Sequence, residues 1–186
     1  MNLNLVRGRK IMDRYNILAV ELVQRNQFKE SVLTDEIMEV EKCSKSQALK
    51  FQRGHCNALS FWAVIFSQRD YNGTYEEFYK FLRDNKFRNG KPFMDPGGWV
   101  HIEKNELLAR LEINKKEYKY TAPPVDRKPG DVYRISINGG HHFMAGCVVQ
   151  NGDVHIFDTN DRGCPIEMYQ GFKKRKDKLD WVKVIR

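Results

Sequence analysis

The chain changes its hydrophobic period once, across the turn-rich stretch PPVDRKPGD (Pro123 to Asp131), and that change limits the folds open to it. Up to about Leu111 the apolar residues recur at helical spacing. IMDRYNILAVELVQ sets Ile11, Tyr15, Leu18 and Leu22 on one face of an amphipathic helix. In TDEIMEVEKC, Thr34 is placed to cap a helix, with Asp35 and Glu36 at its positive end. SKSQALKFQRG predicts a further short helix stopped by Gly54. CNALSFWAVIFSQ carries bulky residues on more than one face and predicts a buried helix. TYEEFYKFLRDN has the Thr74 and Glu77 spacing of a capping box, and EKNELLARLEI predicts a last helix.

Beyond the turn-rich stretch, DVYRISI, HFMAGCVVQ, DVHIFDT and DWVKVIR read as strands. Asn151-Gly152 between two apolar runs predicts a hairpin. Helices first and an antiparallel sheet after indicate an α+β domain, with a buried central helix packed on the sheet. With 186 residues, one domain is expected: a helical extension over 1–45, a helical half over 46–111 and a sheet half over 117–186. The apolar fraction of 41% excludes a disordered chain.

The chemistry centres on Cys56, which opens the apolar helix in GHCNALSFW. A cysteine there meets the positive end of the helix dipole and its free N–H groups. These lower a thiol pKa and can hold an oxyanion. Taken alone, Cys56 also fits a small inert core residue. The stretch GGHHFMAGCVVQNGDVHIFDT then adds His142 at the start of one strand and Asp158 at the end of the next. A histidine there serves as base and acid, and a carboxylate on its other nitrogen fixes the tautomer. Only one of His141 and His142 can face Cys56, because adjacent strand residues point to opposite sides; His142, at the edge of the apolar run, is favoured. Counted from a two-residue Asn151-Gly152 turn, the arms Phe143–Gln150 and Asp153–Phe157 are unequal. A simple ladder then does not set His142 against Asp158, so a bulge near Gly146 or a different pairing is expected.

These residues resemble the papain-fold cysteine peptidases and amidases of the compact bacterial and phage kind, which include bacteriocin-processing peptidases and cell-wall amidases. CNALSFW is similar to their nucleophile helix, HHFMAG to their histidine strand and VHIFDT to the strand of the third member, while KPGDVYRI is similar to a Pro-Gly-Asp turn of cell-wall amidases. The resemblance covers roughly residues 50 to 160. It implies a hydrolase of amide, peptide or isopeptide bonds with a Cys56–His142–Asp158 triad, a thioester intermediate and no cofactor. Many such enzymes place an oxyanion-donating Gln a few residues before the Cys. Here Gln52 lies closer than that spacing, and Asn57 stands where a small residue is usual. Gln52, Asn57 and His141 are therefore candidates for oxyanion or supporting roles, and Trp99 in DPGGWVH fits either a core aromatic or a cleft lining.

Other classes remain open on the residues. An inactive papain-like binding or inhibitory module would keep the same fold. Lys plus Arg number 32 against 24 Asp plus Glu, a net charge of +8, which favours polyanionic partners. A nucleic-acid-binding reading would use Lys45, Gln47, Lys50, Gln52 and Arg53 on the second of two short helices, and FKKRKDK is a further basic run. A metal site would draw on His141, His142, His155, Asp158 and Cys164, but their spacing matches no standard pattern. No CxxC pair occurs among Cys43, Cys56, Cys147 and Cys164. MNLNLVRGRKIMDRYN lacks a signal-peptide core and no run approaches a membrane span, so a cytoplasmic chain without membrane contact is expected. The N-terminal helices are candidates for a protein-partner surface or a lid.

Overall fold

The computed structural model describes residues 3–68, 71–87, 89–101, 116–120, 125–160, 166–168 and 179–185. Helices α1 (Leu3–Val23), α2 (Val32–Glu41), α3 (Lys45–Phe51), α4 (Cys56–Phe66) and α5 (Tyr75–Asp84) precede strands β1 (Lys116–Tyr120), β2 (Val132–Ile137), β3 (His142–Val148), β4 (Val154–Phe157), β5 (Ile166–Met168) and β6 (Leu179–Ile185). The strands form one sheet in the order β1-β6-β2-β3-β4-β5, every pairing antiparallel. The α+β class expected from the change of period is therefore present. The helix expected over EKNELLARLEI lies outside the described residues, as does Cys164. Among the described residues no helix is long and apolar enough to cross a membrane.

The caps explain where the helices start. Ser44 with Gln47 and Thr74 with Glu77 close capping boxes on α3 and α5. Thr34 does not cap α2. The helix starts earlier, at Val32 after Ser31, because Thr34 sits at the third helical position and its Oγ1 accepts from the Ser31 N–H at 3.0 Å. That frees the Thr34 hydroxyl to donate to Gln52 Oε1 at 2.7 Å, tying α2 to the turn before α4.

Helix α4 is the hub. Every residue from Ala58 to Phe66 is buried, as the absence of a polar face predicts. It packs on Leu18, Leu22, Leu33, Ile37, Phe78 and Phe93 on one side and on Val132, Ala145, Cys147 and Phe157 of the sheet on the other. Each Leu, Ile, Val or Phe among them contributes about 1.5–3 kcal/mol when fully buried. The Trp62 indole also donates to Gly73 O at 3.1 Å, so this polar edge is satisfied inside the core. The opposite sheet face buries Tyr133, Ile135, Met144, Val148, Val154 and Ile156 in a second cluster. Strand alternation assigns odd and even residues to the two faces.

The β3–β4 connection differs from the two-residue turn expected. Val148 pairs with Val154, and the Val149 N–H bonds to Asp153 O at 2.9 Å. The loop is thus Gln150, Asn151 and Gly152, closed by the Gly152 N–H on Val149 O at 2.9 Å. Gly152 takes φ +84 while Asn151 stays at negative φ, which is a turn with a left-handed glycine rather than a primed turn. The extra loop residue shifts the register by one. The ladder runs unbroken through Gly146, paired with Ile156 and Tyr133, so no bulge is needed there.

Candidate active site

Cys56 is the first residue of α4 and half-buried. What mounts it is the 3-10 turn Gln52–Gly54 and the segment Asp95–Trp99 pressed against it. A Cβ on Gly54 would lie 1.8 Å from Gly97 O, so only glycine permits this backbone approach. His55 is fully buried between the two segments. Its Nδ1 accepts from the Tyr75 hydroxyl at 2.5 Å, and its Nε2 donates to Pro96 O at 3.4 Å. Both ring nitrogens are occupied by one neutral tautomer. Burial lowers its pKa to about 4, so His55 is a structural wedge and not a base.

His142 opens β3, and its Nε2 lies 2.7 Å from Asp158 Oδ1, with the Asn160 N–H 2.9 Å from that same oxygen. The register explains the pairing. Continuing the ladder past Phe157 sets Asp158 opposite Met144, diagonal to His142 and on its face of the sheet. Had the loop held two residues, Asp158 would fall on the other face. Cys56 lies near enough to the ring that each group shifts the other's pKa. With Nε2 given to Asp158, Nδ1 is the atom left for sulfur.

The electrostatics follow from these contacts. Burial pushes the Cys56 thiol up, but the hydrogen bond and charge of His142, the Phe143 backbone N–H and the Gln27 side chain bring it below its ordinary value. Burial pulls His142 down, yet its bonds to Asp158 and Cys56 and their negative charges raise it to about 9. These contacts favour the protonated imidazole and shift Cys56 toward the thiolate. Cys147 is the contrast: burial in the core pushes its thiol up to about 12.

Gln27, in the loop between α1 and α2, is the residue that sequence reasoning missed. It is fully buried, its amide nitrogen donates to Gln52 O and Arg53 O at 3.3 Å each, and its side chain helps to lower the pKa of Cys56. Thr159 fixes the other end: its hydroxyl donates to Gln27 Oε1 at 3.0 Å, and its carbonyl accepts from the Gln27 N–H at 3.0 Å. Nothing in RNQF signals this, because the contact joins segments distant in the chain. Of the oxyanion and supporting roles open to Gln52, its contacts fit support: its buried side-chain amide donates to Gln27 O at 3.2 Å and Lys29 O at 2.8 Å and so holds the Gln27 loop. Inward burial also removes Gln52 from any surface formed by Lys45, Lys50 and Arg53.

The remaining candidates separate. Asn57 Oδ1 accepts from Arg134 Nη2 at 2.6 Å, which spends its carbonyl on support of the helix start. His141 is exposed in the loop before β3, its N–H on Ile137 O, and does not join the site. Trp99 is 67% exposed and so is no core aromatic; its N–H bonds Asp95 Oδ1 on the segment that packs against Gly54 and His55. His155 faces away from His142 and pairs with the Tyr15 hydroxyl at 2.5 Å. Among the described residues no three His, Cys, Asp or Glu side chains are grouped to hold a metal ion. No family model, curated protein or solved structure matches this chain.

Proposed function

We propose that the protein is a cysteine-dependent hydrolase of amide, peptide or isopeptide bonds, built on a papain-like arrangement of helix and sheet. The observation that carries this is the chain of contacts Cys56 to His142 to Asp158, on the first turn of a buried helix and two adjacent strand ends. The Cys56 thiolate attacks the carbonyl carbon and the negative charge moves to oxygen, held by the Cys56 backbone N–H at the start of α4, on the turn that Gln27 braces. The C–N bond breaks as His142 gives its proton to the departing amine. Water then loses a proton to His142 and attacks the thioester, which releases the carboxylic acid and restores the thiolate. Asp158 keeps its charge throughout and holds the ring in register. A reducing, cytoplasmic setting belongs to this reading, since the thiolate must stay free.

The test is competitive labelling with iodoacetamide at pH 6.5, followed by a turnover assay on p-nitrophenyl acetate and a mixed peptide library. Cys56 should label far faster than half-buried Cys43, and His142→Ala should remove the difference. Equal labelling of the two overturns the reading. Selective labelling without any acyl-enzyme or cleavage product favours the inactive binding module.

A further inference from the structure

Arg134 lies in the middle of β2 and is buried, only 7% exposed. Its ladder partners are Ala145 and Val182, both apolar. Burying a guanidinium in such a place is costly, and an aliphatic side chain would suit the strand better. What Arg134 touches gives the reason for its presence. Nη2 donates to Asn57 Oδ1 at 2.6 Å, and the guanidinium carbon lies 4.4 Å from the Phe61 ring centre and 3.9 Å from that of Phe143. Asn57 and Phe61 are one turn apart on α4, and Asn57 directly follows Cys56. Phe143 directly follows His142, and its backbone N–H is near enough to Cys56 to help lower the pKa of the thiol.

We propose that Arg134 is a positioning residue that locks the nucleophile helix to the histidine strand, so that the spacing of Cys56 and His142 is set by one planar side chain. This rests on the hydrolase reading above and deepens it. The guanidinium is wedged between one ring from each catalytic element and donates in its own plane to the residue after the nucleophile. That combination needs a flat cation with several N–H groups. Lysine has the charge but neither the plane nor the fork. Farther along, α4 and β3 also pack through Ala145 and Cys147, but Arg134 acts at the catalytic end, where a displacement of about 1 Å is enough to cost on the order of 100-fold in rate.

The experiment measures the rate of Cys56 carbamidomethylation from pH 4 to 10 in the wild type and in Arg134→Lys, Arg134→Met and Asn57→Ala, with thermal melts as a fold control. In the wild type the inflection lies below that of a free thiol. Folded Arg134→Lys and Arg134→Met should show it moved upward, with the rate at pH 6.5 reduced at least about 10-fold, and Lys should not rescue Met. Asn57→Ala should shift it in the same direction, and adding it to Arg134→Met should bring little further change, because both remove one linkage. Profiles in the folded variants that overlay the wild type overturn the proposal. If the Arg134 variants do not fold, an unshifted profile in Asn57→Ala overturns it alone. A wild-type profile like that of a free thiol is a different failure: it removes the hydrolase reading and this inference together.

Discussion

Replacing Asp158 by Asn removes a charge while leaving a carbonyl that can still accept from His142 Nε2, so the change isolates electrostatics from geometry. His142 stands at about 9 against an ordinary 6.5, despite burial that pulls it down. At 1.36 kcal/mol per unit, the contacts with Asp158 and Cys56 outweigh burial by about 3 kcal/mol. Asp158 supplies a hydrogen bond and one of the two negative charges involved. Its loss should therefore lower His142 by about 1–2 units, the size expected for removal of one close opposite charge. The imidazolium would then titrate near neutrality and the Cys56 thiolate would lose part of its partner. NMR titration of the His142 ring nitrogens measures the first effect, and the pH profile of Cys56 alkylation measures the second. Activity in the wild type should fall on the acid side as the thiolate is protonated and on the basic side near pH 9. In Asp158→Asn the basic limb should move toward pH 7. A His142 titration unmoved from about 9 in a folded Asp158→Asn would refute the assignment of Asp158 as its partner.

Other outcomes follow from the same contacts. Gln27→Ala leaves the Thr159 hydroxyl and the Gln52 and Arg53 carbonyls without their buried partner and should cost about 1–3 kcal/mol in urea unfolding; unchanged stability would contradict these bonds. Gly54→Ala must push against Gly97 O and should cost about 1–3 kcal/mol in urea unfolding; unchanged stability would contradict the close approach. Stability should also fall on both sides of neutrality. His55 has a depressed folded value of about 4, so its contribution is intact above pH 6.5 and is lost as the pH falls toward 4, by up to about 3 kcal/mol. His142 has a raised value, so its contribution is present below pH 6.5 and is lost as the pH rises through about 9. Urea titrations at pH 4.5, 7 and 9.5 check both, and a flat profile between 7 and 4.5 rules out the buried neutral His55.

Periodicity and caps carried most of the fold because they are local. The apolar density of CNALSFWAVIF demanded a buried helix, and α4 is buried from Ala58 to Phe66. The Thr74–Glu77 spacing located the start of α5, whereas Thr34 misled because a threonine three residues into a helix looks the same as one at its cap. The third member of the site was legible as a residue but not as a geometry. Asn151-Gly152 marks a hairpin, yet a two-residue and a three-residue loop share that dipeptide, and only the backbone sign at Asn151 separates them. That one residue decides which face Asp158 takes. Arg134 left a visible trace, a cation at a core-facing position of a largely apolar strand, whereas Gln27 left none.

The placement of Gln27 changes how the first 45 residues are to be understood. A lid or docking arm would be separable from the site, but this segment is not. Gln27 bonds to Thr159 beside Asp158 on one side and to the Gln52–Arg53 turn before Cys56 on the other. Gln52 returns the support by holding Gln27 O and Lys29 O, and Thr34 anchors Gln52 in turn. Arg25, buried beside Gln27, pairs with Glu36 and lies 5.5 Å over the ring of Tyr75, whose hydroxyl seals His55. The N-terminal helices therefore reach the thiol by two routes, through Gln27 directly and through Tyr75 and His55. Each route consists of buried polar groups whose partners lie in another segment, and removing one partner leaves the other unsatisfied. On this geometry the segment is a wall of the site.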